Sequence, residues 1–190
     1  MEKVWQVIRA IGLPIVVLLS GAMVMSILSG HGYVMEQLRE NADSKDRKPL
    51  NMRILGYDTN DVARHWAALD ERALQSERRF LELDLIFPTF YGAALAFALW
   101  QAWRVTGFVF SPAWVIVPVA ITIIADWTEN LIHLSQLHRY IESGEAGLQT
   151  ASIQIASGAT IVKLAFFAGI LLFSAWKSVQ NFQSSSVRRP

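Results

Sequence analysis

Residues 10–30 read AIGLPIVVLLSGAMVMSILSG, and none of their side chains is ionisable. A helix needs about 20 mostly apolar residues to cross roughly 30 Å of hydrocarbon, so this stretch is long enough to span a membrane. Its apolar run exceeds the roughly 7–15 residues of a cleaved signal peptide, and no clear small-residue cleavage site follows it. It reads as a retained helix, with a modest kink expected at Pro14.

Working outward, three more stretches have similar length and character. One lies between Asp84 and Arg104 and is free of charge. Another follows a turn at Phe108–Pro112 and runs to about His133. The last extends from Ser152 to Trp176, interrupted only by Lys163. The expected fold is all-α: a four-transmembrane-helix bundle with spans at about 10–30, 83–103, 113–134 and 152–176. Residues 1–182 form a single membrane domain, and 183–190 a disordered tail. Composition agrees, with 53% hydrophobic and 17% charged residues against about a quarter charged in soluble domains. A net charge of +1 gives no basic footprint for nucleic acid. The chain has no cysteine, which excludes disulfides, thiolate zinc sites, iron–sulfur clusters and cysteine nucleophiles.

Four spans place both termini on one side, together with Lys3, Arg9, Arg104, Lys177, Arg188 and Arg189, whereas the short loop between the third and fourth spans carries only Arg139. The positive-inside rule then makes both termini cytoplasmic, and Trp5, Trp100, Trp103, Trp114 and Trp176 fall at cytoplasmic span ends, where amphipathic rings favour the interface. The expected location is a bacterial inner membrane. The loop 31–79 lies on the far side. Its tip, Asp43 to Pro49, is a polar turn. Asp58-Thr59-Asn60-Asp61 then starts a helix, and Val62, Trp66, Leu69 and Ala73 repeat at helical spacing. One short amphipathic helix, lying on the membrane or capping the bundle, is expected there.

Ionisable residues at membrane depth are costly, so they turn inward and find partners. Thr122, Asp126, Glu129, Asn130 and His133 share one face of the third span. Asp84 and Tyr91, seven apart around Pro88, share a face of the second. Gln154, Ser157, Thr160 and Lys163 form a slanting stripe on the fourth. At about 1.5 Å rise per residue, Asp126 lies roughly 20 Å from the cytoplasmic end of its span and Lys163 about 16 Å from the outer end of its own. The candidate site is therefore a cluster of Asp84, Tyr91, Asp126, Glu129, Asn130, His133 and Lys163 beneath the long loop, with either Asp126 or Glu129 paired to Lys163.

Gly56-Tyr57-Asp58-Thr59, Leu83-Asp84-Leu85-Ile86-Phe87-Pro88 with Tyr91-Gly92, Asp126-Trp127-Thr128-Glu129-Asn130 and Lys163 together resemble an uncharacterised family of small bacterial four-helix integral membrane proteins. The resemblance runs from about Met52 to Trp176. It implies the four-helix fold and the choice of residues, and it carries no reaction or substrate.

The simplest role for the cluster is structural, since interhelical polar contacts hold bundles in register at about 0.6–2 kcal/mol each. Three acids, a lysine and a histidine exceed what register needs. A metal site would use Asp84, Glu129 and His133, a carboxylate–imidazole set suited to zinc, iron or manganese, although the Glu-x-x-x-His spacing occurs once and is not the paired Glu-x-x-His of di-iron bundles. A bis-histidine haem would need His31 to face His133. A proton relay would use the same acids, without the inverted repeats of transporters. An amphipathic ligand would sit between helices with a few convergent polar groups, and Gly92, Gly158 and Gly169 leave room for close helix approach or for that ligand. An enzyme would use Glu129 or Asp126 as acid or base, yet no serine–histidine–acid order or phosphate loop names a reaction. The leading expectation is non-enzymatic: the cluster binds a small amphipathic ligand, or organises helix packing or a partner. The runner-up is a membrane-embedded enzyme or metal-binding protein using Asp84, Asp126, Glu129 and His133. A third reading is an accessory subunit that docks a membrane-protein partner through its loop. The bilayer is the partner common to all of them.

Overall fold

The computed structural model describes residues 2–44, 46–106 and 113–186, and these are all-helical apart from turns. Seven α-helices follow in chain order: α1 (Glu2–Ser29), α2 (His31–Asn41), α3 (Thr59–Ala67), α4 (Glu71–Asp84), α5 (Phe87–Thr106), α6 (Ala113–Ser143) and α7 (Thr150–Ser186). Short 3-10 turns occupy Leu50–Met52 and Gly144–Gly147. The turn expected at 108–112 lies outside the described residues. So does the end of the expected tail, while α7 continues to Ser186.

The four long helices pack side by side. α1 touches α5, α5 touches α6, α6 touches α7, and α7 closes the ring on α1 while also meeting α5. Among the described residues, two of them, α1 over Ile11–Ser29 and α7 over Thr150–Gln180, are long and apolar enough to cross a membrane. A third candidate arises if α4 and α5, which meet at a 42° bend, are counted as one broken span. α6 is of comparable length, and Asp126, Glu129, Asn130 and His133 interrupt the apolar run of its second half. These four are all buried, so the polarity is turned inward, and Ile116, Ile124 and Leu131 are exposed on its outer side.

The segment expected as a loop with one short helix is instead mostly helical. α2 follows α1 after Gly30, whose φ of 73° is a conformation glycine adopts at little cost. The run from Val62 to Ala73 is two helices rather than one, because the chain contains two capping signals. Asp58 and Asp61 form a capping box: Asp61 N donates to Asp58 Oδ1 at 2.8 Å and Asp58 N to Asp61 Oδ2 at 3.0 Å. Asp70 then caps α4, accepting from Ala73 N at 2.7 Å. Two such caps, each worth about 1 kcal/mol, outcompete the single periodic run.

The three outer helices form a lid with its own core on the ends of α6 and α7. Val34, Leu38, Val62, Trp66, Leu81, Leu137 and Ile153 are all buried together there. A second core, around Phe87, Tyr91, Leu95, Leu99, Val119 and Ile170, lies between the long helices.

Candidate functional site

The junction of α4 and α5 shows why Leu83–Pro88 and Asp126–Asn130 belong together. Pro88 has no N–H, so the carbonyl four residues earlier, on Asp84, has no helical partner. Asn130 Nδ2 supplies it from α6, at 3.1 Å. The Thr89 amide turns to the Ile86 carbonyl at 3.2 Å, and the Leu85 carbonyl accepts instead from Trp127 Nε1 at 2.8 Å. Two side chains of α6 thus repair a break in the neighbouring helix. The break aims Asp84, which is buried, at the bundle interior.

Below it lies the ionic centre. Lys163 of α7 reaches both acids of α6: its Nζ donates to Asp126 Oδ1 at 2.9 Å and lies 2.5 Å from Glu129 Oε2. The question of which acid meets Lys163 is answered by both. Tyr91 of α5 donates to the other Asp126 oxygen at 2.6 Å, and Asn130 Nδ2 also lies 3.4 Å from Asp126 Oδ1. Glu129 and Asn130 are 0% exposed. One cation therefore faces three buried carboxyl groups, those of Asp84, Asp126 and Glu129. Glu129 Oε1 and Asn130 Oδ1 meet no hydrogen-bond donor among the described residues.

Above it, Tyr57 descends from the lid. Its hydroxyl lies 2.7 Å from His133 Nε2 and 3.3 Å from Thr160 Oγ1, and its backbone N donates to Ser157 Oγ at 2.8 Å. Burial, and then the negative charge of Glu129, push the Tyr57 hydroxyl well above the usual phenol value. It stays protonated beside His133 Nε2. Its backbone can come this close because Gly56 has no side chain: a Cβ there would lie 2.5 Å from Ser157 Oγ, at a φ of 81°.

All seven expected residues are buried in one region. The alternative metal candidates Asp84, Glu129 and His133 are not gathered around one point. Glu129 is taken by Lys163 and His133 by Tyr57, and among the described residues no three His, Asp or Glu side chains are placed to hold a metal ion. Nor does His31 face His133, since it pairs with Glu77 at 3.2 Å and stacks on Phe80. Thr122 turns its hydroxyl back to the Pro118 carbonyl, and Gln154 is exposed. Gly92 does allow close packing, against Ile123, whereas Gly158 and Gly169 face open space. Tyr57, Ser157 and Thr160 join the site without having been placed in the expected cluster. The Gly56-Tyr57 pair was the available signal, but nothing local shows that a loop reaches helix α7.

His65 adds a titratable group in the lid core. It is 1% exposed, its Nδ1 is 3.5 Å from the Asp46 carbonyl, and its Nε2 has no hydrogen-bond partner among the described residues. Burial holds its imidazole below the ordinary value against the opposing pull of Glu77, and the charges of Arg53 and His31 also lower it. A histidine lowered in the folded state contributes stability above its unfolded value of about 6.5, and that contribution is lost as pH falls below it, by up to about 1.4 kcal/mol per pH unit. Amide exchange in α3, corrected for its intrinsic rate, should therefore speed up between pH 7.5 and 5, and His65→Gln should flatten the profile. A flat profile in the parent protein would contradict the assignment.

Comparison of the chain with protein-family models, with curated proteins and with solved structures finds no match.

Proposed function

We propose that this chain is a four-span protein of a bacterial inner membrane with both termini cytoplasmic, and that its buried cluster binds the hydrogen-bond-donating head of a small amphipathic ligand. The span reading is supported by the outer surface of the long helices. Val16, Leu19, Met23 and Ile27 of α1, Phe90 and Phe97 of α5, Ile124 and Leu131 of α6 and Leu172 of α7 are all exposed, an apolar extent that suits hydrocarbon rather than water.

Glu129 carries the ligand reading. It is wholly buried, with Lys163 beside one carboxylate oxygen and no donor at the other among the described residues. A buried acceptor left without a donor costs about 1–3 kcal/mol, more when charged. A hydroxyl or ammonium group on a ligand would remove that cost and suit an acid-rich pocket. An apolar groove of about 400 Å³ between α1 and α5 supports the amphipathic character. Leu83 and Phe87, which flank Asp84 in sequence, line it, and no residue of the cluster does.

The structural reading rests on Tyr91, Asp126 and Lys163, which tie α5, α6 and α7 together. Native mass spectrometry of protein extracted gently from its own membrane separates the two. With a ligand, the parent protein carries a defined small mass that Glu129→Gln loses. If Glu129→Gln melts lower and the bound mass is unchanged or absent in both, the cluster is a lock. A stoichiometric second protein would make the chain an accessory subunit.

A further inference from the structure

Between the exposed charges of Lys48 and Asp58 the chain shows a run of uncovered apolar side chains. Met52 is 64%, Ile54 68% and Leu55 94% exposed. The one charge inside the run points the other way. The Arg53 side chain is 10% exposed, donating to the carbonyls of Lys48 and Asp46 and to the Asp46 carboxylate, all at 3.3 Å. The segment thus withdraws its cation and presents only hydrocarbon outward.

Its depth is set by α7. Gly56 lies against Ser157 and Ile161, and Tyr57 is bonded to Ser157. At about 1.5 Å per residue these α7 positions lie roughly 10–16 Å below the helix start at Thr150. Measured from the other end, Trp176 and Lys177, which stack at 4.3 Å, suit the cytoplasmic interface. About 20 residues of hydrocarbon above them ends near Ala156. The contact between Gly56 and α7 therefore lies about one turn inside the outer boundary. The neighbouring α7 side chains Ile155, Ile161 and Val162 are exposed and apolar, and they continue the same surface.

We infer that residues 52–57 form a strap inserted into the outer leaflet, with Met52, Ile54 and Leu55 seated at the boundary of headgroups and acyl chains, closing the Tyr57–His133 end of the buried cluster against lipid. The occupant of this apolar surface is the lipid itself. The inference rests on the membrane-spanning reading.

The absence of native cysteine makes the test direct. Leu55→Cys and, separately, Leu172→Cys on the 71% exposed flank of α7 are labelled with a polarity-sensitive fluorophore and reconstituted into phosphatidylcholine vesicles. Both positions are exposed, so folding is retained. At position 55 the expected result is blue-shifted emission, quenched several-fold more by lipids brominated near the headgroup than by aqueous iodide. Iodide quenching at 55 with bromolipid quenching at 172 would overturn the strap and leave the spans standing. So would a label at 55 shielded from both quenchers, which would mean that protein covers it. Absence of bromolipid quenching at both positions would overturn the spans themselves and the strap with them.

Discussion

Replacing Lys163 with methionine should cause a large loss of stability. The side chain is buried, and among the described residues it is the one cation in contact with Asp126 and Glu129. Methionine keeps most of the volume and removes the charge, so two carboxyl groups that share a donor are left facing each other in a site without solvent. Removing one partner of a buried ion pair costs about 3–5 kcal/mol, mostly through the uncompensated charge that remains. At roughly 2–4 °C per kcal/mol for a chain of this size, the melting temperature in detergent should fall by roughly 6–20 °C. Because the cost lies in the stranded acids, it should be recovered in large part when Asp126→Asn and Glu129→Gln are added, a non-additivity expected of contacting residues. A Lys163→Met protein that melts within a degree or two of the parent would show that the acids do not depend on this cation.

Trp66→Ala should be nearly as damaging, and for a different reason. Trp66 is 1% exposed at the centre of the lid core, with Tyr140 of α6 at 5.5 Å between ring centroids. Truncating a buried tryptophan costs about 3–5 kcal/mol, through lost apolar burial and the cavity left behind. The loss should be local. The lid helices should become accessible to added protease, with cleavage within residues 31–79, while the long helices stay intact. A protease-resistant lid in Trp66→Ala would mean that the outer helices are held by something other than this core.

Some of this was legible in the residues because it depends on short range. Uninterrupted apolar length marked α1 and α7, and a 3.6-residue period placed Asp126, Glu129, Asn130 and His133 on one inward face before any packing was known. The lid was less legible. Its two capping aspartates, Asp58 and Asp70, were both present, but the apolar period from Val62 to Ala73 runs through the boundary between the helices and hides the second start. The metal expectation came from spacing alone, and spacing does not tell whether Glu129 meets an ion or the ammonium of Lys163, which lies more than thirty residues away.

The sequence by itself determined the helical class, the strongly apolar helices and the inward turn of the acids, because hydrophobic length, helical period and the cost of burying charge act along one segment at a time. The tertiary structure decided the pairings. Lys163 bridges both acids, Asn130 and Trp127 repair the break made by Pro88, and Gly56 lets Tyr57 reach His133 from a distant loop. Each joins groups whose separation along the chain is set by the fold, and a hydrogen bond forms only when packing brings its donor within about 3 Å of its acceptor.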